Sequence, residues 1–398
     1  MFEALDMAPP DAIMGLSDGF NKDPDPNKIN LTIGVYKDSS GKTPVLSSVK
    51  KAEERLLTEE TTKAYVSIEG DRDYADCVQR LLFGESNPLL KSGVAVTADT
   101  PGGTGGLRVA AEFIHGVSPH ASIWLSEPTW PNHQGIFNAA GLNVRHYPYY
   151  DAESKMLDFE AMKEALRQTS PGDVVLLHAC CHNPTGLDPS PEQWAELATI
   201  LTASKVLPFF DFAYQGLGDG LEQDAQGLRT FLAKSKELIV ASSFSKNFGV
   251  YRDRVGAVTL VTSSPKAAET SMSHMKRVIR SNYSTPPAHG ASIVKTVLND
   301  PTLRLEWEKE VVAMCERIQS MRSAFVETLR AKGVKQDFSF LARQKGMFSF
   351  SGLTKHQVEE LREKHSVYIV GNGRINVAGI TPSNVGPLCD AVAAVLNR

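Results

Sequence analysis

Between residues 93 and 261, short apolar runs alternate with amphipathic stretches. The runs cover 94–96, 122–125, 173–177, 205–210, 237–240 and 255–261. Each is too short and too uniformly apolar for a surface helix, so the segment reads as strands of a mostly parallel sheet separated by helices. Helices are predicted over 104–115, 158–168 and 190–203, the last with Ser190 as N-cap and Pro191 in its first turn. After Ser264 the texture becomes long helical periodicity, and 303–331 alternates charged and apolar turns as a helix bridging two domains would. The C-terminal part reads as a strand at 347–350, a helix at 354–364, strands at 367–370 and 374–377, and a terminal helix from about Pro382. That is the pattern of a smaller α/β domain.

In open α/β sheets ligands sit beyond the carboxyl ends of the strands, so the loops after these runs are where chemistry is expected. Four of them carry it. Thr100-Pro101-Gly102-Gly103-Thr104-Gly105-Gly106 follows a strand and opens a helix, which suits an anion, although the spacing fits neither GxGxxG nor GxxxxGK[ST] and plain turn chemistry is the competing reading. Ser243-Phe244-Ser245-Lys246 offers an amine among hydroxyls, with Arg254 eight residues on. Such a lysine is either simply solvated or, if its pKa is lowered, a nucleophile beside a guanidinium that can clamp a phosphate. Asp211 ends the apolar run at 206–210 and is either a turn residue or a carboxylate that keeps a heterocyclic nitrogen protonated. Cys181-His182-Asn183-Pro184-Thr185-Gly186 is an Asn-Pro turn whose amide can reach a ligand or cap its own backbone.

Composition narrows the classes. The 398 residues suffice for two or three packed domains, and a net charge of -4 with no block of like charges disfavours a polyanion-binding protein. No apolar run reaches the length of a membrane span, and the start Met1-Phe2-Glu3-Ala4-Leu5-Asp6 lacks the features of a secretory signal, so a cytoplasmic location is expected. Five cysteines without a CxxC pair read as buried reduced thiols, and no metal site is expected.

Taken together with Asn30-Leu31-Thr32-Ile33-Gly34-Val35-Tyr36, Thr129-Trp130-Pro131-Asn132-His133, Asp211 to Tyr214, Arg280-Ser281-Asn282-Tyr283-Ser284 and Arg374-Ile375-Asn376-Val377, these loops resemble the fold-type I, class I aminotransferases, nearest the aspartate and aromatic branches. The resemblance covers nearly the whole chain. It implies an N-terminal arm (1–12), a large cofactor domain (44–313) with a seven-stranded, mostly parallel sheet, and a small domain (13–43 with 314–398). It also implies pyridoxal 5'-phosphate as cofactor, attached to Lys246. Asp211 would face the pyridine nitrogen with His133 behind it, Asn183 and Tyr214 the ring oxygen, and Trp130 the ring face. The phosphate would rest on Gly103, Thr104, Ser243, Ser245, Arg254 and, from the other subunit of a homodimer, Tyr65. Arg374 would take the substrate α-carboxylate and Arg280 of the partner chain the distal one, with Gly34, Trp130 and Asn183 lining the substrate.

The implied reaction moves the amino group of L-aspartate to 2-oxoglutarate in two half-reactions. Val35, Lys37, Thr43 and Thr104 resemble the aspartate branch, whereas Ala64 and Thr285 depart from it, so an aromatic or dual-specificity enzyme is the alternative. A β-lyase or decarboxylase on the same scaffold, and a catalytically silent binding protein, are the other readings.

Overall fold

The structure is a computed structural model that describes residues 2–7 and 14–396. The chain divides into two compact units, Pro44–Glu316 and a second formed by Met1–Thr43 with Arg317–Arg398. Of the expected N-terminal arm, residues 2–7 contain one short turn, Phe2–Ala4, and residues 1 and 8–12 lie outside the described residues.

The larger unit is built on seven strands: β1 (Ala95–Pro101), β2 (Ser122–Glu127), β3 (Asn143–Pro148), β4 (Val174–His178), β5 (Leu207–Phe212), β6 (Leu238–Ser243) and β7 (Val255–Val261). Their spatial order is β1-β7-β6-β5-β4-β2-β3. β7 runs antiparallel to both neighbours and the remaining pairs are parallel. The seven-stranded, mostly parallel sheet is as expected. β4, β6 and β7 are buried at every position, which is why they read as continuous apolar runs. β3 is the opposite case. It is an edge strand with mostly exposed side chains, Asn143-Val144-Arg145-His146-Tyr147-Pro148, and hydrophobicity alone does not reveal it.

Helix α1 (Gly102–Val117) lies against the sheet, where Leu107, Ala110, Ala111 and Ile114 join Ile123, Leu125, Val174, Phe209, Ile239 and Val258 in one buried cluster. Each large aliphatic side chain withdrawn from water there contributes roughly 1.5–3 kcal/mol. α1 begins two residues earlier than the pattern predicts, so Gly103 and Thr104 sit in its first turn. α2 (Pro191–Ala203) has the predicted Ser190 cap in full: Gln193 N donates to Ser190 Oγ, and Ser190 N donates back to Gln193 Oε1 at 2.8 Å. α3 (Pro265–Asn282) is capped by Ser264, and α4 (Pro301–Ala331) runs for 31 residues through the boundary at which the two units are divided.

β5 extends past the predicted end at Phe210 and includes Asp211 and Phe212. Asp211 is therefore not a turn residue. It is held in register, opposite His178 of β4 and Ala241 of β6. In the smaller unit Ile29–Asn30 pairs in parallel with Val367–Tyr368, and Phe348–Phe350 pairs antiparallel with Arg374–Asn376. These strands are shorter than predicted, and the last helix, Val385–Leu396, starts three residues late because Thr381 and Asn384 close a hydrogen-bonded turn first.

Gly256 of β7 faces the start of α1: a Cβ there would overlap the Gly102 backbone and come within 2.7 Å of Ser242 O. Gly256→Ala is expected to cost about 1–3 kcal/mol, as overpacking against backbone does. A lowered denaturation midpoint checks this, and an unchanged one contradicts it.

Candidate active site

The site is assembled at the carboxyl ends of β4, β5 and β6. At its centre is Asp211, buried at 7% exposure. His133, on the helix Asn132–Ala139, donates through Nε2 to Asp211 Oδ2 at 3.0 Å, and its Nδ1 lies 2.8 Å from Thr129 Oγ1. Burial pushes the Asp211 carboxyl up, but the hydrogen bond and charge of His133, with the charge of Lys246, outweigh it and leave the group below the usual carboxylate range. The result is a carboxylate that stays charged in the protein interior.

Behind this pair stands a group of aromatic and polar side chains that the motif reading left without a role. His178, at the end of β4, has its ring 5.2 Å from His133 and 4.4 Å from His182. Burial and the neighbouring His133 push His178 down to about 3, so it stays neutral. His182 is fixed from both sides, by Ser126 Oγ at 2.9 Å and Thr185 Oγ1 at 2.8 Å, and stacks on Tyr149 at 3.8 Å. The available signal was position: His178 ends a strand beside Asp211, and His182 lies within the Asn183 motif. Asn183 and Tyr214 are buried on the loops after β4 and β5.

Lys246 follows β6 in a tightly held turn. Phe248 N donates to Phe244 O and Gly249 N to Lys246 O, with Gly249 at φ +67. Phe248 stacks on Trp307 at 4.5 Å, and Trp307 Nε1 donates to Asn247 O. The Lys246 ammonium lies 4.8 Å from the centre of the Tyr214 ring. Withdrawal from water lowers its pKa, Asp211 opposes that fall and Arg254 adds to it. The residue itself is only half-buried, so its amine is withdrawn from bulk water without being sealed off.

Beside the lysine lies an anion cradle. Pro101 at the N-cap of α1 offers no side-chain acceptor to the first N–H groups of the helix. Gly102, at φ +74, would place a Cβ 2.5 Å from Arg254 Nη2, and a Cβ on Gly103 would sit 3.0 Å from that of Ser243. The glycines thus bring the helix start, Ser243 and Arg254 together. Ser245 N donates to Ser243 Oγ at 3.3 Å, and Arg254 is aimed by a left-handed backbone, φ +55, and a bond from Nη1 to Tyr251 O. Thr104, Gly105, Arg254 and Tyr283 help line a cavity of about 340 Å³ at this point. Trp130 stands edge-on to His133 at 5.2 Å.

The larger unit therefore gathers Asp211, His133, Trp130, Tyr214 and Lys246, with Gly103, Ser243 and Arg254 next to them. Tyr65 is 92% exposed, and Arg280 is exposed at the end of α3, where Nη1 donates to Ser284 Oγ. Gly34 and Arg374 belong to the smaller unit. Arg374 is buried, donates through Nη2 to Thr32 O at 2.7 Å and lies 4.2 Å from the centre of the Phe348 ring. Gly34 packs against that same ring, and Asn376 holds Ile33 O and Val35 O. Among the described residues no helix is long and apolar enough to cross a membrane, and all five cysteines are buried and outside any disulfide.

Comparison with known proteins places these features in a family. Residues 26–392 match the family described as aminotransferase class I and II. The chain is 58% identical, over the full length of both proteins, to an aspartate aminotransferase of Salmonella typhi. Its fold superposes with a TM-score of 0.97 on an aromatic-amino-acid aminotransferase from Burkholderia pseudomallei covalently bound to pyridoxal phosphate, at 45% identity and covering 100% of this chain and 99% of that one. A psychrophilic aromatic amino acids aminotransferase from Psychrobacter sp. B6, cocrystallised with aspartic acid, gives a TM-score of 0.98 at 40% identity over all of both chains. The chain belongs to the class I and II aminotransferase family.

Proposed function

We propose that this protein is an aspartate aminotransferase that carries the amino group of L-aspartate to 2-oxoglutarate, giving oxaloacetate and L-glutamate, with pyridoxal 5'-phosphate as cofactor. The observation that carries the reading is the buried Asp211, hydrogen-bonded to His133 and held below the usual carboxylate range, together with an amine whose pKa is lowered and an anion cradle alongside. These residues fit the cofactor: a buried carboxylate for its ring nitrogen, a reactive amine for its carbonyl, and a glycine-rich helix start with Ser243, Ser245 and Arg254 for its phosphate. Bound pyridoxal phosphate supplies an electron sink for the pair left when the substrate α-proton departs.

The chain's own groups do the rest. Asp211, kept charged by His133, holds a proton on the ring nitrogen. Lys246 would hold the cofactor through its carbonyl carbon and would carry the substrate α-proton; its lowered pKa makes the neutral, proton-accepting amine available. Asn183 and Tyr214 would hold the ring oxygen, and Trp130 would pack on the ring. Gly103 and Thr104 lend first-turn N–H groups to the phosphate. Arg374 takes the α-carboxylate by its planar fork, with Gly34 lining the substrate.

The distal carboxylate is assigned to Arg280, and a further phosphate contact to Tyr65, each from the partner in a homodimer. Their exposure at the surface of the single chain supports a role across subunits. The larger unit is the cofactor domain in this reading, and five cysteines outside any disulfide suit a cytoplasmic setting. Aromatic amino acids form the second substrate class. That reading is favoured by the solved Psychrobacter relative, an aromatic enzyme cocrystallised with aspartic acid, and by Ala64 and Thr285 in this sequence.

Lys246→Ala is expected to lower turnover of aspartate with 2-oxoglutarate by at least ~10²-fold, the usual scale for removing a positioned proton carrier. Coupled detection of oxaloacetate measures it, and undiminished turnover would overturn the reading. Arg280→Leu removes two charge-assisted hydrogen bonds, each about 1.5 kcal/mol or more, so kcat/KM for aspartate should drop roughly 100-fold. Phenylalanine should be spared; an equal loss for both would show that Arg280 does not read the side chain.

A further inference from the structure

Asp99 has no part in the proposed chemistry, yet it is buried at 2% exposure near the end of β1, two residues before the N-cap of α1. Its backbone N donates to Glu69 O at 2.9 Å, and its Oδ2 accepts from Asp71 N at 3.0 Å. The turn that carries these partners is tight: Gly70 N donates to Ser67 O at 2.9 Å and Ser67 Oγ to Gly70 O at 2.6 Å. Gly70 sits at φ +92, and a Cβ there would overlap the Asp99 carboxyl. The turn is thus moulded on this one side chain. Asp71 in turn caps the helix Arg72–Phe83 through Tyr74 N. On the other side, Tyr283 OH donates to Asp99 O at 3.3 Å and lines the cavity beside Thr104 and Arg254.

The charges around Asp99 are unusual for a carboxylate site. Its Oδ1 is buried with no hydrogen-bond partner. Two further acids face it, Glu69 and Asp71, each paired with a lysine, Lys276 and Lys295 respectively. The remaining titratable neighbours are the phenols of Tyr74 and Tyr283, which are neutral. No cation contacts Asp99 directly among the described residues, so an ionised Asp99 would leave a charged oxygen unsolvated in the interior.

We propose that Asp99 is a positioning residue for the anion cradle: in its uncharged form it clamps the Ser67–Asp71 turn onto the strand that delivers Gly102, Gly103 and Thr104, and on ionisation the clamp loosens. Burial, with the charges of Asp71 and Glu69, raises this carboxyl to about 8 against the opposing bond from Asp71 N and the charge of Lys295. The sign follows. A group whose pKa is raised on folding favours the folded arrangement while protonated and loses that advantage as pH rises through its folded value, here in the mildly alkaline range.

The consequence for cofactor retention rests on the proposed phosphate role of the glycine-rich loop, but the behaviour of the turn does not. Hydrogen–deuterium exchange of the 67–74 segment in holoenzyme, followed from neutral to alkaline pH, reads the turn alone. The wild type should show an extra acceleration above the intrinsic base-catalysed rise, with a midpoint near pH 8. Asp99→Asn, an uncharged isostere, should lose that step. Lys295→Gln, which removes the cation that favours ionisation, should move the midpoint to higher pH. Fluorescence titration with pyridoxal phosphate over the same range should show affinity weakening through the same midpoint in the wild type and not in Asp99→Asn. If exchange in Asp99→Asn keeps the wild-type profile, or Lys295→Gln leaves the midpoint in place, the clamp is overturned. If the exchange step appears but cofactor affinity carries no matching step, the link from clamp to cradle is overturned while the proposed transamination stands.

Discussion

A single buried carboxylate organises the larger unit. Placing Asp211 in the protein interior as an anion costs several kcal/mol of lost hydration, and the surrounding residues exist in an arrangement that offsets it. β5 fixes its height by pairing on both sides, the helix Asn132–Ala139 presents His133 to it, and Thr129 fixes the far nitrogen of that ring. His178 and His182 then fill the space behind as neutral imidazoles, His182 held by Ser126 and Thr185 and stacked on Tyr149. Each of these side chains is shaped by the one in front of it.

The other functional groups are placed by the same sheet. Lys246 and the anion cradle stand on β6, β7 and the start of α1, so the distance between amine, carboxylate and cradle is set by strand spacing and by glycines that admit close backbone approach. Lysine and aspartate also tune each other: the carboxylate is favoured by the ammonium, while burial and Arg254 work against that ammonium. Two opposite pKa problems are thereby answered within one site, which is the usual mark of acid–base machinery.

Much of this was legible beforehand because the fully buried strands read as unbroken apolar runs and the chemistry sits in the loops that follow them. β3 was not, since an edge strand of Asn143, Arg145 and His146 carries no hydrophobic period. Asp211 was identified as chemical but placed one step too far along, outside the strand, because a carboxylate after an apolar run looks like a turn. His178, His182 and Thr129 escaped because their importance lies in contacts between distant segments, which no local pattern encodes. Asp99 was hidden for the same reason: nothing in the strand around it announces that Gly70 is bare because this carboxyl fills its place. Tyr65, Arg280 and Arg374 carry meaning only through the family motifs, and exposure or burial alone would have left each as an ordinary surface or strand residue.

The central claim is that Asp211 remains an anion and so keeps the cofactor ring nitrogen protonated. The most direct measurement is the nitrogen resonance of ¹⁵N-labelled pyridoxal phosphate bound to the wild-type protein, followed from neutral into alkaline solution. The account predicts the signal of a protonated ring throughout. A ring nitrogen that titrates as it does in the free cofactor would contradict it.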